Sequence, residues 1–229
     1  MILSLAITHT YQSVDIGLFN NGQLVDQISE TTVRASKYFG SVFDELLTKN
    51  GILLKEIAFI GANQGPGPFT TLRVIIASLN GLSFATNIPL IGINGLEAFA
   101  QEYHDAHYPY TMIVLNAFGK DVYFSLDFDN KEIETGYKNC IELLQEISMR
   151  FPAESIRCIG SGVYLYENEI KNYFGNRAII PTDLPEQCSV QHIGIMAYDA
   201  WQKRIGLTQH LLPLYLKQQQ FATAQLSER

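Results

Sequence analysis

The stretch from Ile57 to Pro89 constrains this chain more than any other. Ile57-Ala58-Phe59-Ile60 is a short apolar run of the kind a buried strand needs. Gly65-Pro66-Gly67-Pro68 then permits neither helix nor sheet, because each proline fixes its own φ and each glycine admits values that other residues avoid. Thr70 is placed to cap a helix, since its hydroxyl can accept from a free N–H of the first turn. Leu72, Ile75, Ile76, Leu79 and Leu82 recur at helical spacing, and Asn87 and Pro89 end the helix. Strand end, rigid turn, helix and stop follow in that order.

This helix has a second face. Arg73, Ala77, Asn80, Gly81, Phe84 and Ala85 lie away from the leucine stripe, and Ala77, Gly81 and Ala85 stack four apart as a groove of small side chains. Such a groove lets another helix come close, either from the same chain or from another subunit. Arg73 opposes the helix macrodipole in the first turn, which predicts a carboxylate partner, with Asp44, Glu45 and Glu97 as candidates.

The rest of the chain reads as alternating units. Ile2–Ile7 is an apolar strand, Ser13–Phe19 alternates with Val14, Ile16 and Leu18 on one face, and Asn20-Asn21-Gly22 signals a hairpin into a third strand, Gln23–Ser29. Ser36 can cap a helix that ends at Asn50-Gly51; Phe39, Phe43, Leu46 and Leu47 form its main apolar stripe, and Tyr38, Val42, Glu45 and Lys49 a mixed one. Leu90–Ile93 is a strand and Gly95–Tyr103 a short helix. Three antiparallel strands followed by α/β alternation predict a mixed sheet with helices on its faces. The polar stretch Glu102–Pro109 is the candidate domain boundary. Beyond it, strands are expected at 112–117, 122–128, 156–160 and 178–180, and helices at 139–150, 164–174 and 190–203. A polar end after Lys217 is expected to fray. No tandem repeat of fixed period is visible.

Composition limits the function classes. The chain has 229 residues, 47% hydrophobic and 17% charged, which suffices for one large domain or two ordinary ones. A net charge of −7 without a Lys/Arg run argues against a surface that grips phosphates. No apolar run is expected to span a membrane, Met1–Leu5 lacks the positive region of a signal peptide, and a cytoplasmic protein is expected. Cys140, Cys158 and Cys188 are far apart and read as small core residues rather than disulfides, zinc ligands or nucleophiles.

Candidate chemistry is sparse. The loop Gly65–Thr71 could cradle phosphate at a helix N-terminus, but Pro66 and Pro68 remove two donors and no Lys follows, so it reads as a rigid turn. His104, Asp105 and His107 suggest a metal only weakly, because no second cluster supplies further ligands. His9 and Asp15 could polarise a water, yet no nucleophile–base–orienter set forms around them. No catalytic residue, cofactor site or metal site is assigned.

Gly65-Pro66-Gly67-Pro68-Phe69-Thr70-Thr71-Leu72-Arg73, Gly81-Leu82-Ser83-Phe84-Ala85 and Asn87–Ala98 together resemble the TsaB (YeaZ) family, whose pattern there is close to GPGSFTGLR, then GLAFA, then a strand and an S-S-L-E-A-like turn. Gly160-Ser161-Gly162 and Pro213-Leu214-Tyr215-Leu216-Lys217, similar to P-x-Y-L-R, fit as well. The resemblance spans the chain and is strongest over residues 60–98. It implies an actin-like α/β fold of two lobes, each ribonuclease-H-like with a mixed sheet: residues 1–102, with 209–229 returning to them, and residues 103–208. It also implies a non-catalytic accessory subunit in N6-threonylcarbamoyladenosine modification of tRNA. Such a subunit pairs with a TsaD-like catalytic subunit joined by a TsaE-like ATPase, or with itself when alone, and has lost the ATP site of its fold relatives. The implied partner surface is Tyr38, Val42, Arg73, Ala77, Asn80, Gly81 and Phe84.

The sequence departs from the family pattern in several places. Thr8 stands where I-D-T-S has its Asp, Ala35–Tyr38 lacks the usual His, Asn116-Ala117-Phe118 replaces D-A-R, Pro68 replaces a Ser and Thr71 a Gly. The carboxylate missing at Thr8 is the feature that separates a scaffold from the alternatives, an ATP-dependent transferase, a kinase-like enzyme or a peptidase. A structural homodimer without a tRNA connection is the third reading.

Overall fold

The computed structural model describes residues 1–128 and 133–216, so the expected fraying after Lys217 lies outside the described residues. Strand β1 (Leu3–His9) is buried at every position. A strand covered on both faces is a central one. It pairs antiparallel with β2 (Ser13–Asn20) and parallel with β4 (Ile57–Asn63). β3 (Gln23–Thr31) continues the hairpin, and β5 (Leu90–Ile93) lies parallel to β4.

Two helices cover one face of this sheet. α1 (Thr32–Lys49) starts earlier than the Ser36 cap predicts, because the Thr31 hydroxyl accepts from the Arg34 N–H at 3.3 Å. It kinks at Tyr38, where the backbone leaves helical geometry. α2 (Phe69–Thr86) ends at Asn87 in the left-handed conformation, as its sequence signals. Leu3, Leu5 and Ile7 of β1 point at these helices and join Phe39, Val42, Leu46, Leu72, Ile75 and Leu79 in one core. Ala6 points the other way, into a second core with Phe19, Phe59 and Ile91, as strand alternation requires.

The second lobe repeats the first. β6 (Tyr110–Asn116) pairs antiparallel with β7 (Asp121–Phe128), which pairs with β8 (Glu134–Asn139). Helix α4 (Cys140–Arg150) leads to β9 (Ile156–Ile159), parallel to β6; α5 (Gly162–Phe174) leads to β10 (Ala178–Ile179), parallel to β9. The order β10-β9-β6-β7-β8 matches β5-β4-β1-β2-β3 in the first sheet. The duplication is one of topology, which is why no period shows in the residues. β8 was not anticipated, because Thr135-Gly136-Tyr137 lacks an apolar run.

Each lobe lends its third helix to the other. α3 (Gly95–Glu102) packs on β6 and β7, whereas α6 (Val190–Lys203) packs across β1, β4 and β5. A boundary that assigns 103–208 to the second lobe therefore separates α6 from the sheet it covers. Glu102 fastens the exchange by accepting from the Ser189 N–H at 2.7 Å, beside the cap of α6. The second core runs without a break from Phe59 through Phe99 to Met112 and Ile193. The chain then returns to the first lobe: β11 (Leu207–Thr208) pairs antiparallel with β5, and Leu211 is buried in the first core.

Candidate functional site

The carboxyl ends of β1, β4, β5, β6 and β9 all point to the space between the lobes. In open α/β sheets ligand crevices form at such ends. Here they enclose a cleft of about 360 Å³. Its floor is His9, at the end of β1, and Asn63, at the end of β4. Its aromatic walls include Tyr11, Phe99, Phe118, Tyr123 and Tyr164. The Tyr11 hydroxyl donates to the Asn116 carbonyl at 2.6 Å, and the Tyr11 ring meets Phe118 edge-on at 5.1 Å, so these residues close one side. Burial raises the Tyr11 phenol to about 12.

The Gly/Pro turn forms the cleft's rim and is held from several directions. Gly65 sits at φ +112°, a value that suits glycine. Its N–H donates to Asn63 Oδ1 at 2.9 Å, and its carbonyl accepts from Gly95 N–H at 2.8 Å. Gly67 lies against the His9 ring so closely that a β-carbon would fall 2.4 Å from Cε1. Thr70 is not the cap. The Pro68 carbonyl already accepts from the Leu72 N–H, so α2 begins at Phe69 and Thr70 falls in its exposed first turn.

His9 is 4% exposed, and neither ring nitrogen has a hydrogen-bond partner among the described residues. Burial lowers its pKa to about 4, only partly opposed by the Asn63 backbone, which does not reach hydrogen-bond geometry. The imidazole is therefore neutral at physiological pH. Thr8, where the family pattern has a carboxylate, is fully buried; its hydroxyl faces the Cys188 carbonyl at 3.5 Å and accepts from Asn63 Nδ2 at 3.2 Å. Among the described residues no Lys or Arg lines the cleft, and Glu186 is the one charged wall residue. His104 and His107 do not converge: the first pairs with Asp127 at 2.6 Å and the second with Asp105 at 3.0 Å. Cys140, Cys158 and Cys188 are buried, and burial raises each thiol's pKa.

The residues expected at a partner surface divide into two groups. Tyr38, Arg73, Ala77, Gly81 and Phe84 are exposed, Phe84 at 86%. Nothing lies within 4 Å of a β-carbon built on Gly81, so this groove is open among the described residues. Val42 is the first correction: it is 1% exposed, because it falls three residues after Phe39 and thus inside the main stripe of α1. Asn80 is the second: it exchanges hydrogen bonds with the Leu211 backbone at 2.8 and 3.0 Å and holds the returning tail. Arg73 finds no carboxylate among the described residues. Its guanidinium lies 3.6 Å from the Phe69 ring centroid, and its Nε donates to the Tyr215 hydroxyl at 2.8 Å, so aromatic faces replace the expected ion pair. α2 also revises the membrane expectation, since its 18 residues are long and apolar enough to cross one by length and composition. Its leucine stripe, however, is spent on the first core.

A family model described as "TsaD: tRNA N6-adenosine threonylcarbamoyltransferase" matches residues 30–157. The chain belongs to this family. Within the family its TsaB (YeaZ) likeness holds. It is 29% identical over 123 residues to the tRNA threonylcarbamoyladenosine biosynthesis protein TsaB of Haemophilus influenzae, covering 53% of this chain and 52% of that protein. The chain spans about half the length of the curated relatives it matches. YeaZ from Pseudomonas aeruginosa superposes with a TM-score of 0.71 at 21% identity, covering 94% of this chain and all of that one. A Listeria monocytogenes protein described as a candidate N-acetylmannosamine kinase superposes with a TM-score of 0.51 at 10% identity, covering 88% of this chain and all of that one. These likenesses establish the two-lobed, actin-like α/β fold of the family member described here. The matched segment, 30–157, contains α1, α2 and the Gly/Pro turn. The six segments that build the cleft are not legible as one site, because each contributes only two to four residues.

Proposed function

We propose that this chain is a non-catalytic accessory subunit in N6-threonylcarbamoyladenosine modification of tRNA. In this reading it pairs through α1 and α2 with a catalytic subunit of the threonylcarbamoyltransferase type, a TsaE-like ATPase joins them in the cytoplasm, and the chain self-associates through the same face when alone. The observation that carries this reading is the face of α2 that the described residues leave uncovered. Ala77, Gly81 and Ala85 form a groove of small side chains, Phe84 stands beside it 86% exposed, and Tyr38 flanks it from the kink of α1. Small residues let helices approach closely, and an exposed apolar patch beside them suits a partner.

The choice of partner rests on the family match. The family model that matches this chain describes a transferase and covers the same helix pair. A catalytic subunit built on that lobe would present a related helix pair, so the contact can be pseudo-symmetric, as two-fold interfaces are. A role without catalysis is supported by Thr8, which offers no carboxylate, and by a cleft that no Lys or Arg among the described residues lines.

The test is capture of the threonylcarbamoyltransferase from the same organism by purified chain. Ala77→Arg and Gly81→Leu should leave the circular dichroism unchanged, because both positions are exposed. They should abolish capture and shift sedimentation to the monomer. A folded variant that still captures the transferase would remove this surface from consideration.

A further inference from the structure

We propose that the outer edge of β10 and the groove beside it seat an extended segment of a partner protein, which pairs with β10 and inserts one aliphatic side chain against α5. The site is separate from the α1/α2 face and gives the second lobe a contact of its own.

The first lobe carries the occupied version of this seat. The returning chain pairs β11 antiparallel to the outer edge of β5. A few residues on, Leu211 is buried in one core with Leu72, Ile76 and Leu79 of α2. Asn80 holds the Leu211 backbone through both groups, and Arg73 bonds the Tyr215 hydroxyl. Strand pairing, one anchor side chain and polar side chains on the helix together hold this strap.

In the second lobe the described residues build the same seat with no strap on it. β10 takes the place of β5 in its sheet and pairs, among the described residues, with β9 alone. Between β10 and α5 lies a groove of about 380 Å³, whose walls include Val163, Ala178, Ile180 and Leu184. The two helices match in burial. With Leu72 set against Val163, Leu79 falls on Ile170 and Ser83 on Phe174, and all six are buried. The same register sets Arg73 on Tyr164, Ile76 on Glu167 and Asn80 on Lys171. Those three residues of α5 line the groove. Ile76 is buried and Asn80 half-buried, whereas Glu167 and Lys171 are exposed. The helix positions that the strap covers in one lobe are bare in the other.

The lip of the groove defines the occupant. Glu167 and Lys171 bond each other one turn apart on α5. The carboxylate keeps spare lone pairs and the ammonium spare N–H donors. Their charges therefore complement a peptide group, whose N–H suits the carboxylate and whose carbonyl suits the ammonium. In the first lobe the Asn80 amide performs both tasks for Leu211. Main-chain bonds at a sheet edge, with a pocket for one side chain, are the means by which an extended peptide adds to a sheet. Val163, Ile180 and Leu184 make the groove aliphatic, so the anchor is a residue of leucine or isoleucine type. The chain's own strap is already seated in the first lobe, which leaves this seat to another protein.

The experiment adds a peptide of residues 205–215, the strap sequence itself, to the full chain carrying ¹³C-methyl labels at Ile, Leu and Val. The peptide should shift the Val163, Ile180 and Leu184 methyls saturably and leave those of Leu72 and Leu79 in place. Leu211→Ala in the peptide should weaken binding at least tenfold, and a scrambled peptide should not bind. Glu167→Ala with Lys171→Ala in the protein, both at exposed positions, should weaken binding at least threefold with the circular dichroism unchanged. Four results would each overturn the proposal: Ile180 and Leu184 methyls that stay in place, shifts confined to the first lobe through displacement of its strap, a Leu211→Ala or scrambled peptide that binds as well, or a double variant that binds undiminished. So would movement of the Ile180 methyl on deletion of residues 217–229, since the chain's own end would then be the occupant.

Discussion

Tyr11 donates its hydroxyl hydrogen to the Asn116 carbonyl across 2.6 Å, which ties the first turn of one lobe to the first hairpin of the other. The bond is partly buried and spans 105 residues of sequence. Tyr11→Phe keeps the edge contact with Phe118 and removes the bond alone. Stability should fall by about 1 kcal/mol. Amide hydrogen exchange should accelerate between Ala117 and Val122 while the circular dichroism stays the same. Unchanged exchange there would mean that the tyrosine does not hold the lobes together.

His9 gives the protein an acid-sensitive term. Its pKa falls from 6.5 to about 4 on folding, because burial disfavours the charged ring. The unfolded chain therefore takes up a proton first as the pH drops. Stability from this residue is intact above pH 6.5, declines toward pH 4 and then levels off, a loss of about 3 kcal/mol. Urea midpoints measured across that window should show the slope, and His9→Leu should flatten it.

Val42 and Phe84 make a contrasting pair. Val42→Ala removes buried methyl groups from the first core and should cost about 2 kcal/mol. Phe84→Ala acts on a side chain that is 86% exposed and should change stability by no more than about 0.5 kcal/mol. Chemical denaturation of both variants checks this. A large cost at Phe84 would mean that some part of the chain covers it.

Asn80 holds Leu211 through both backbone groups. Asn80→Ala leaves those groups half-buried without their partner and should cost about 1–3 kcal/mol. The effect should be local, with faster exchange over Leu207–Tyr215 and no change in β1. If β1 loosens equally, the tail is part of the global unfolding unit instead.

Apart from the Thr70 cap, residues 57–89 are legible because the local signals there agree: an apolar strand, prolines that stop it, a 3.6-residue stripe and an asparagine stop. The helix Val190–Lys203 was read to the residue for the same reason, with Ser189 capping it by accepting from His192 N–H. Where two signals compete, local sequence does not decide. Thr31-Thr32 suits a strand end and also a helix cap, and the cap won. Val42 belongs to the main stripe, because it lies three residues after Phe39 on the same side of the kink at Tyr38. The carboxylate expected for Arg73 is replaced by Tyr215, which lies 142 residues away and is hidden by that distance. The cleft stayed invisible for the same reason: His9 and Gln187 become neighbours only once both sheets are built.

The exchange of third helices has a consequence for biosynthesis. As the chain leaves the ribosome, the first sheet can form with α1 and α2 on one side, but Ala6, Phe19, Phe59 and Ile91 stay bare until residues 190–203 emerge. The nascent first lobe must carry an uncovered apolar sheet face through the synthesis of the whole second lobe. Its final closure waits for α6 rather than for any segment near it in sequence. Aggregation during translation and dependence on holdase chaperones are the costs of that order.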